Sequence, residues 1–279
     1  MKYFIVLMLV GLISCSKDDN ETVGAETHLN VSYGADPAQN MDVYLPEGRS
    51  QSSTKVMVLI HGGAWTTGDK TDFAPYVDTL KIRLPDYAIF NINYRLATAT
   101  ANKFPTQEND VKAAVEFIYN KRNEYGISDK FVFLGASAGA HLALLQGYKN
   151  NTVVKPKAIV DFYGPTNMTT LYTNPASPLI PPDFIESVVG ATPTSDPAKY
   201  QQSSPINFVT ITSPPTIILQ GALDPLVAPS QSTSLRDQLL IKGVPTQYVL
   251  YPTEGHVWLG ANLSDSFNKI QAFLNTYVN

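Results

Sequence analysis

At 279 residues and a formal net charge of -4, the chain is long enough to bury a substantial core as one domain. No basic stripe is present, which excludes a nucleic-acid partner. Four histidines and one cysteine, with no CxxC or HExxH spacing, give no basis for a zinc site, and neither a metal nor a cofactor is expected.

The chain opens with "MKYFIVLMLVGLISC". A lysine at position 2 precedes an apolar stretch too short to span a bilayer, which is the shape of a signal peptide. Cys15 has no second cysteine to pair with. "LISC" resembles the lipobox of bacterial lipoproteins, where the signal is cut before the cysteine and its thiol receives lipid. "SKDDN", directly after it, resembles the acidic signal that sends some lipoproteins to the outer face of an outer membrane. The resemblance implies a leader over 1–14, lipidation at Cys15 and an exported protein anchored to the bacterial outer membrane, exposed at the cell surface. An ordinary secretory signal with an incidental cysteine is the alternative. Residues 15–26 are polar and acidic and read as a tether, which leaves 27–279 for the folded domain.

"HLNVSYG" and "NMDVYLP" alternate and fit an antiparallel hairpin across "ADPAQ". "KVMVLIHGG" and "DYAIFNINYR" are β-rich runs without alternation, as expected of strands covered on both faces. "TQENDVKAAVEFIYNKRNEYG" sets Val111, Ala114, Val115 and Ile118 on one helical face and stops at Gly126. Further buried strands follow at "KFVFLGA", "PKAIVDFYG", "PTIILQG" and "TQYVLYP", with helices at "QSTSLRDQLLIKG" and "SDSFNKIQAFLNTYV". Strands alternating with helices predict an α/β fold, a mostly parallel central sheet with helices on both faces. Residues 166 to about 212 break the rhythm. They are rich in Pro, Thr and Ser and too long for a plain connection, so a short lid or cap insert is expected there.

"FVFLGASAGAHLALL" is strand, G-x-S-x-G, helix. A serine at such a corner is pushed outward by a strained turn that only small neighbours permit. The same glycines also serve helix–strand packing, so the pentapeptide alone decides nothing. A serine nucleophile needs a base and donors for an oxyanion. "VLIHGGAW" ends an earlier strand in a small-residue corner, where the amides of Gly63 and Ala64, with that of Ala138, are the candidate oxyanion donors. "ILQGALDPLV" places Asp224 just past a strand, and "VLYPTEGHVW" places His256 just past the last one. Ser137, Asp224 and His256 thus stand in an order suited to one site at the carboxyl edge of the sheet. His61 is expected to bond its own loop backbone. His141, one helical turn past the serine, is expected to pack or to bond a neighbouring strand. Glu254 is the competing acid. It shares a short loop with His256 and is poorly placed to align the imidazole from behind, so Asp224 is preferred.

"NVSYGADPAQNMDVYLP", "HGGAWTTGDK", "INYRLA", "FPTQENDVKAAVEFI", "GASAGAHLALL", "FYGPTN" and "GALDPLV" together resemble the α/β-hydrolase superfamily. Within it they resemble the esterase/lipase group of hormone-sensitive-lipase-like and feruloyl-esterase-like carboxylesterases. The resemblance implies a nucleophile at Ser137, an acid at Asp224, a base at His256 and oxyanion amides at Gly63, Ala64 and Ala138. Ala64 stands where the group usually has a third glycine, and the 166–212 insert matches no part of the group. The expected activity is hydrolysis of carboxylic esters through an acyl-enzyme. Export favours a large substrate, so a carbohydrate esterase removing acetyl or feruloyl groups from an acylated glycan leads. A general short-chain carboxylesterase and an arylformamidase-like amide hydrolase follow. Prolyl-peptidase relatives share the motif but usually carry a large extra domain that this chain is too short to hold. A catalytically inactive hydrolase fold serving as a surface binding module is the reading from another class. Trp65 and Trp258, close to the oxyanion corner and to His256, are the candidates for bordering the substrate pocket, against simple loop packing.

Overall fold

A computed structural model describes residues 23–279. The expected leader, Cys15 and the tether up to residue 22 lie outside the described residues. The domain opens with β1 (Glu26–Ser32) and β2 (Asn40–Leu45), the expected antiparallel hairpin. Then come β3 (Lys55–Ile60), α1 (Ala74–Arg83), β4 (Tyr87–Ile92), α2 (Thr106–Asn120) and α3 (Arg122–Tyr125). They are followed by β5 (Phe131–Ala136), α4 (Ala138–Tyr148) and β6 (Ala158–Phe162). The region expected to be an insert holds α5 (Met168–Thr173), α6 (Pro182–Val189) and α7 (Pro197–Gln202). The chain closes with β7 (Thr216–Gly221), α8 (Pro229–Ile241), β8 (Thr246–Tyr251) and α9 (Gly260–Tyr277).

The strands form one eight-stranded sheet in the order β1-β2-β4-β3-β5-β6-β7-β8. β2 runs antiparallel to β4, and every pair from β4 through β8 is parallel. Alternate residues of the central strands feed opposite faces. Val56, Val58 and Ile60 join a core with α2, α4 and α8, whereas Met57 and Leu59 join a second core with α1 and α9. Apolar residues on both faces explain why these strands carry no alternation of polarity.

The helix expected from 106 onward is divided at Lys121, and Gly126, in the left-handed region at φ 63°, ends its second piece. The insert is built into the first core. Its Met168, Leu171, Ile185, Val188 and Tyr200 are buried in the same cluster as α4. Asn167 and Asp196 cap α5 and α7 with their side chains, and the Thr166 hydroxyl donates to Gln231 O at 2.8 Å, tying the start of the segment to α8.

Candidate active site

The turn from β5 into α4 passes through Ser137 at φ 55°, ψ -122°. A non-glycine residue there is strained, and the packing around it holds it in place. The helix sits so close to β3 that a Cβ on Gly139 would lie 2.0 Å from Ile60 O. The small residues therefore do both jobs open from the sequence: they let the helix approach, and that approach thrusts Ser137 out at the sheet edge.

The loops after β7 and β8 meet beside this serine. A Cβ on Gly221 would lie 2.0 Å from Gly255 O, and the Leu223 amide donates to Glu254 O at 2.9 Å. This lacing brings His256 to Asp224. The His256 Nδ1–H donates to Asp224 Oδ2 at 2.8 Å, and the Ser137 hydroxyl donates to His256 Nε2 at 2.9 Å. The carboxylate next to Nδ1 selects that tautomer and leaves Nε2 as the acceptor. Asp224 is itself fixed by the amides of Leu226 and Val227 at 2.8 and 2.9 Å and by the Gln220 side chain at 3.0 Å. Glu254 instead accepts from the Asn262 side chain at 2.5 Å, with no bond to the imidazole. Gln220 was not legible in advance, because a glutamine ending a buried strand gives no signal of its own.

Across from the serine, the loop after β3 runs through Gly63, Ala64 and Trp65, all at positive φ (100°, 50° and 62°). Gly63 O turns back and accepts from the Thr66 and Thr67 amides at 3.0 and 2.9 Å. The amides of Gly63 and Ala64 donate to no other protein group among the described residues, and Ala138, first residue of α4, has no acceptor inside its helix. The three expected donors are thus unpaired at the serine's corner. Tyr94 braces the loop by donating to His61 O at 2.9 Å and stacking on the His61 ring at 4.3 Å between centroids.

The model of the BD-FAE family matches residues 41–239, which is most of the domain. The chain belongs to the BD-FAE family. This is an α/β-hydrolase esterase family, in agreement with the sheet described above. Esterase LipC of Mycobacterium tuberculosis is 27% identical over 88% of this chain and 64% of its own length. Dipeptidyl aminopeptidase BIII of Pseudoxanthomonas mexicana is 26% identical over 92% of this chain and 37% of its own. The chain therefore spans less than two thirds of either relative. A solved carbohydrate esterase from gut microbiota, in truncated form, shares the fold at a TM-score of 0.76. It is 23% identical, with 92% of this chain and 98% of that one covered.

In this BD-FAE chain Ser137 and His256 open onto a cavity of about 410 Å3. Its walls are largely apolar and come from the loop after β3 (Trp65, Phe73), from Tyr163 after β6, and from the insert (Leu171, Ile180). Trp65, a candidate for bordering the substrate pocket, lines this cavity. Trp258 does not line this cavity. It packs behind Tyr163 at 5.2 Å between ring centroids and donates its Nε1–H to Ser266 Oγ at 2.9 Å. His141 is buried and packed as expected, but its partner is a different element. Its Nε2 lies 2.6 Å from Ser203 O, in the insert and not in a strand, and its Nδ1 accepts from Trp65 Nε1 at 3.2 Å. Both ring nitrogens are thus engaged away from Ser137, and burial pushes the pKa down to about 4. His61 bonds Gly62 O, within its own loop, at 2.8 Å, and burial lowers its pKa as well.

Proposed function

We propose that the protein is a serine esterase that cleaves carboxylic esters through an acyl-enzyme. The hydrogen-bonded series Ser137–His256–Asp224, 2.9 and 2.8 Å long, carries this reading. Ser137 Oγ attacks the ester carbonyl carbon while His256 Nε2 takes its proton. The tetrahedral oxyanion forms among the amides of Gly63, Ala64 and Ala138, each such donor contributing roughly 10²–10³ in rate. Collapse expels the alkoxide, which takes the proton from His256. Water then attacks the acyl-enzyme by the same route, giving the acid and free Ser137. Asp224 holds the imidazole and the positive charge it gains.

The finer reading is a carbohydrate esterase acting on an acylated glycan at the cell surface. It is supported by the gut-microbiota carbohydrate esterase, which this chain covers almost completely, and by the expected leader over 1–14 that precedes Cys15. The apolar cavity walls favour a second reading, a general short-chain carboxylesterase.

A fluorophosphonate should label the wild type and not Ser137→Ala, and that variant should lose roughly 10⁶ in kcat while melting normally. Full activity in Ser137→Ala overturns the reading, and an unlabelled wild type points to a binding module. Acetylated xylan, methyl ferulate, nitrophenyl acetate, formylkynurenine and a dipeptide anilide separate the substrate classes. Cys15→Ser should release the protein from the membrane fraction; a variant still membrane-bound rules out the lipid anchor.

A further inference from the structure

A smaller recess adjoins the cavity at Ser137. It measures about 50 Å3, shares Phe73, Tyr76, Ala136, Tyr163 and Val257 with that cavity, and is lined further by Leu80 of α1, Leu134 of β5 and Leu263 and Phe267 of α9. No charged or amide side chain lines it. Of its walls, Leu80, Leu134 and Trp258 are at most 4% exposed. Interiors of proteins are normally filled, so an apolar void adjoining the cavity of the candidate nucleophile is a feature to explain.

Tyr163 forms the partition. Its backbone sits at φ 46°, an outlier for a bulky residue, and is pinned by its amide donating to Leu219 O at 2.9 Å. The ring lies 4.5 Å from His256 between centroids, so the strained turn sets the aromatic wall between the cavity and the recess. Backbone strain of this kind concentrates at functional sites.

The geometry points to this recess as the binding site for the end of a straight acyl chain longer than acetyl. This inference rests on the esterase reading in its general carboxylesterase form. In the two-step reaction the alcohol leaves midway, whereas the acyl group stays bonded to Ser137 Oγ until water releases it. The wide cavity suits the group that must depart and be replaced by water. The apolar recess suits the group that stays, because methylenes packed against its walls leave water in both transition states.

The test is kcat/KM across nitrophenyl esters from acetate to decanoate, for the wild type, Leu263→Trp, Leu80→Phe and Leu263→Ala. The wild type should accept hexanoate at least as well as acetate. The two filling variants should keep acetate within about twofold and lose tenfold or more on hexanoate, the scale of one or two methylenes refused by a pocket. Leu263→Ala should move the optimum to longer chains, which keeps the test alive if a filling variant fails to fold. Folded variants whose chain-length profiles match the wild type overturn the recess. A change confined to a parallel series of acetate esters with lengthening alcohols overturns its assignment to the acyl group. A wild type inert to every ester and to the fluorophosphonate overturns the esterase reading itself, and the recess with it.

Discussion

The loops at the carboxyl edge of the sheet and the insert between β6 and β7 both border the cavity, but they are organised differently. The edge loops are set by their own backbones. Ser137, Ala64 and Trp65 are forced to positive φ, and the lacing of the β7 and β8 loops fixes the Asp224–His256 pair. The insert is set by what it buries, through Ile185 and Val188 packed into the core of α4. The first kind of order aims polar groups at one point. The second supplies a wall.

This contrast has a sharp test in the two acids near His256. Asp224→Asn should keep the fold and the contacts of the loop but present an amide to Nδ1, favouring the wrong tautomer. The expected loss in kcat is on the order of 10⁴. Glu254→Gln should leave kcat within about twofold, since that carboxylate bonds Asn262. Steady-state kinetics on one activated ester decides it. The reverse pattern would move the orienting role to Glu254 and break the account of the edge loops.

What was legible in the sequence follows the same division. Ser137, Asp224 and His256 each stand a few residues past an apolar run, and their order along the chain places them on one edge. Gly63 and Ala64 were legible because small residues ending a strand mark a corner. The insert's helices, of six to eight residues, are too short to show a period, so the segment reads as irregular. Tyr163 and Tyr94 act through contacts with residues far along the chain, Gln220 through the loop that follows its own strand, and nothing in "FYG", "INYR" or "IILQG" assigns them those contacts. Trp258 lines the smaller recess and not the main cavity, because nearness to His256 in the chain does not say on which side of Tyr163 the indole falls.

If the insert is part of the core, a cavity cut in it should cost as much as one in the sheet. Ile185 is fully buried. Ile185→Ala should lower unfolding stability by about 2–5 kcal/mol, read from urea midpoints at constant slope, with kcat for nitrophenyl acetate little changed. A loss under about 0.5 kcal/mol would mean that the segment behaves as a detachable lid.

The mildest test lies at the seam, where His141 on α4 meets Ser203 of the insert and Asp161 of β6 is buried nearby, its Oδ1 accepting from the Gly164 amide at 2.8 Å. Burial keeps the folded His141 neutral down to about 4, against 6.5 in an unfolded chain. Between those values the unfolded chain binds the extra proton, so stability falls as pH drops from about 6.5. Burial also raises Asp161 from 3.8 to about 7. Here the folded chain holds the extra proton, so stability falls as pH rises from about 4 to 7. Each slope approaches about 1.4 kcal/mol per pH unit, and over the shared window they oppose each other. His61, also lowered by burial, adds to the His141 slope, so the readout is each variant's change from the wild-type profile. Relative to the wild type, the His141→Asn urea midpoint should tilt toward falling as pH rises, and that of Asp161→Asn should tilt the opposite way. Two variants whose profiles ran parallel to the wild type would show that neither group is desolvated at the seam, and that the insert does not seal against α4 there.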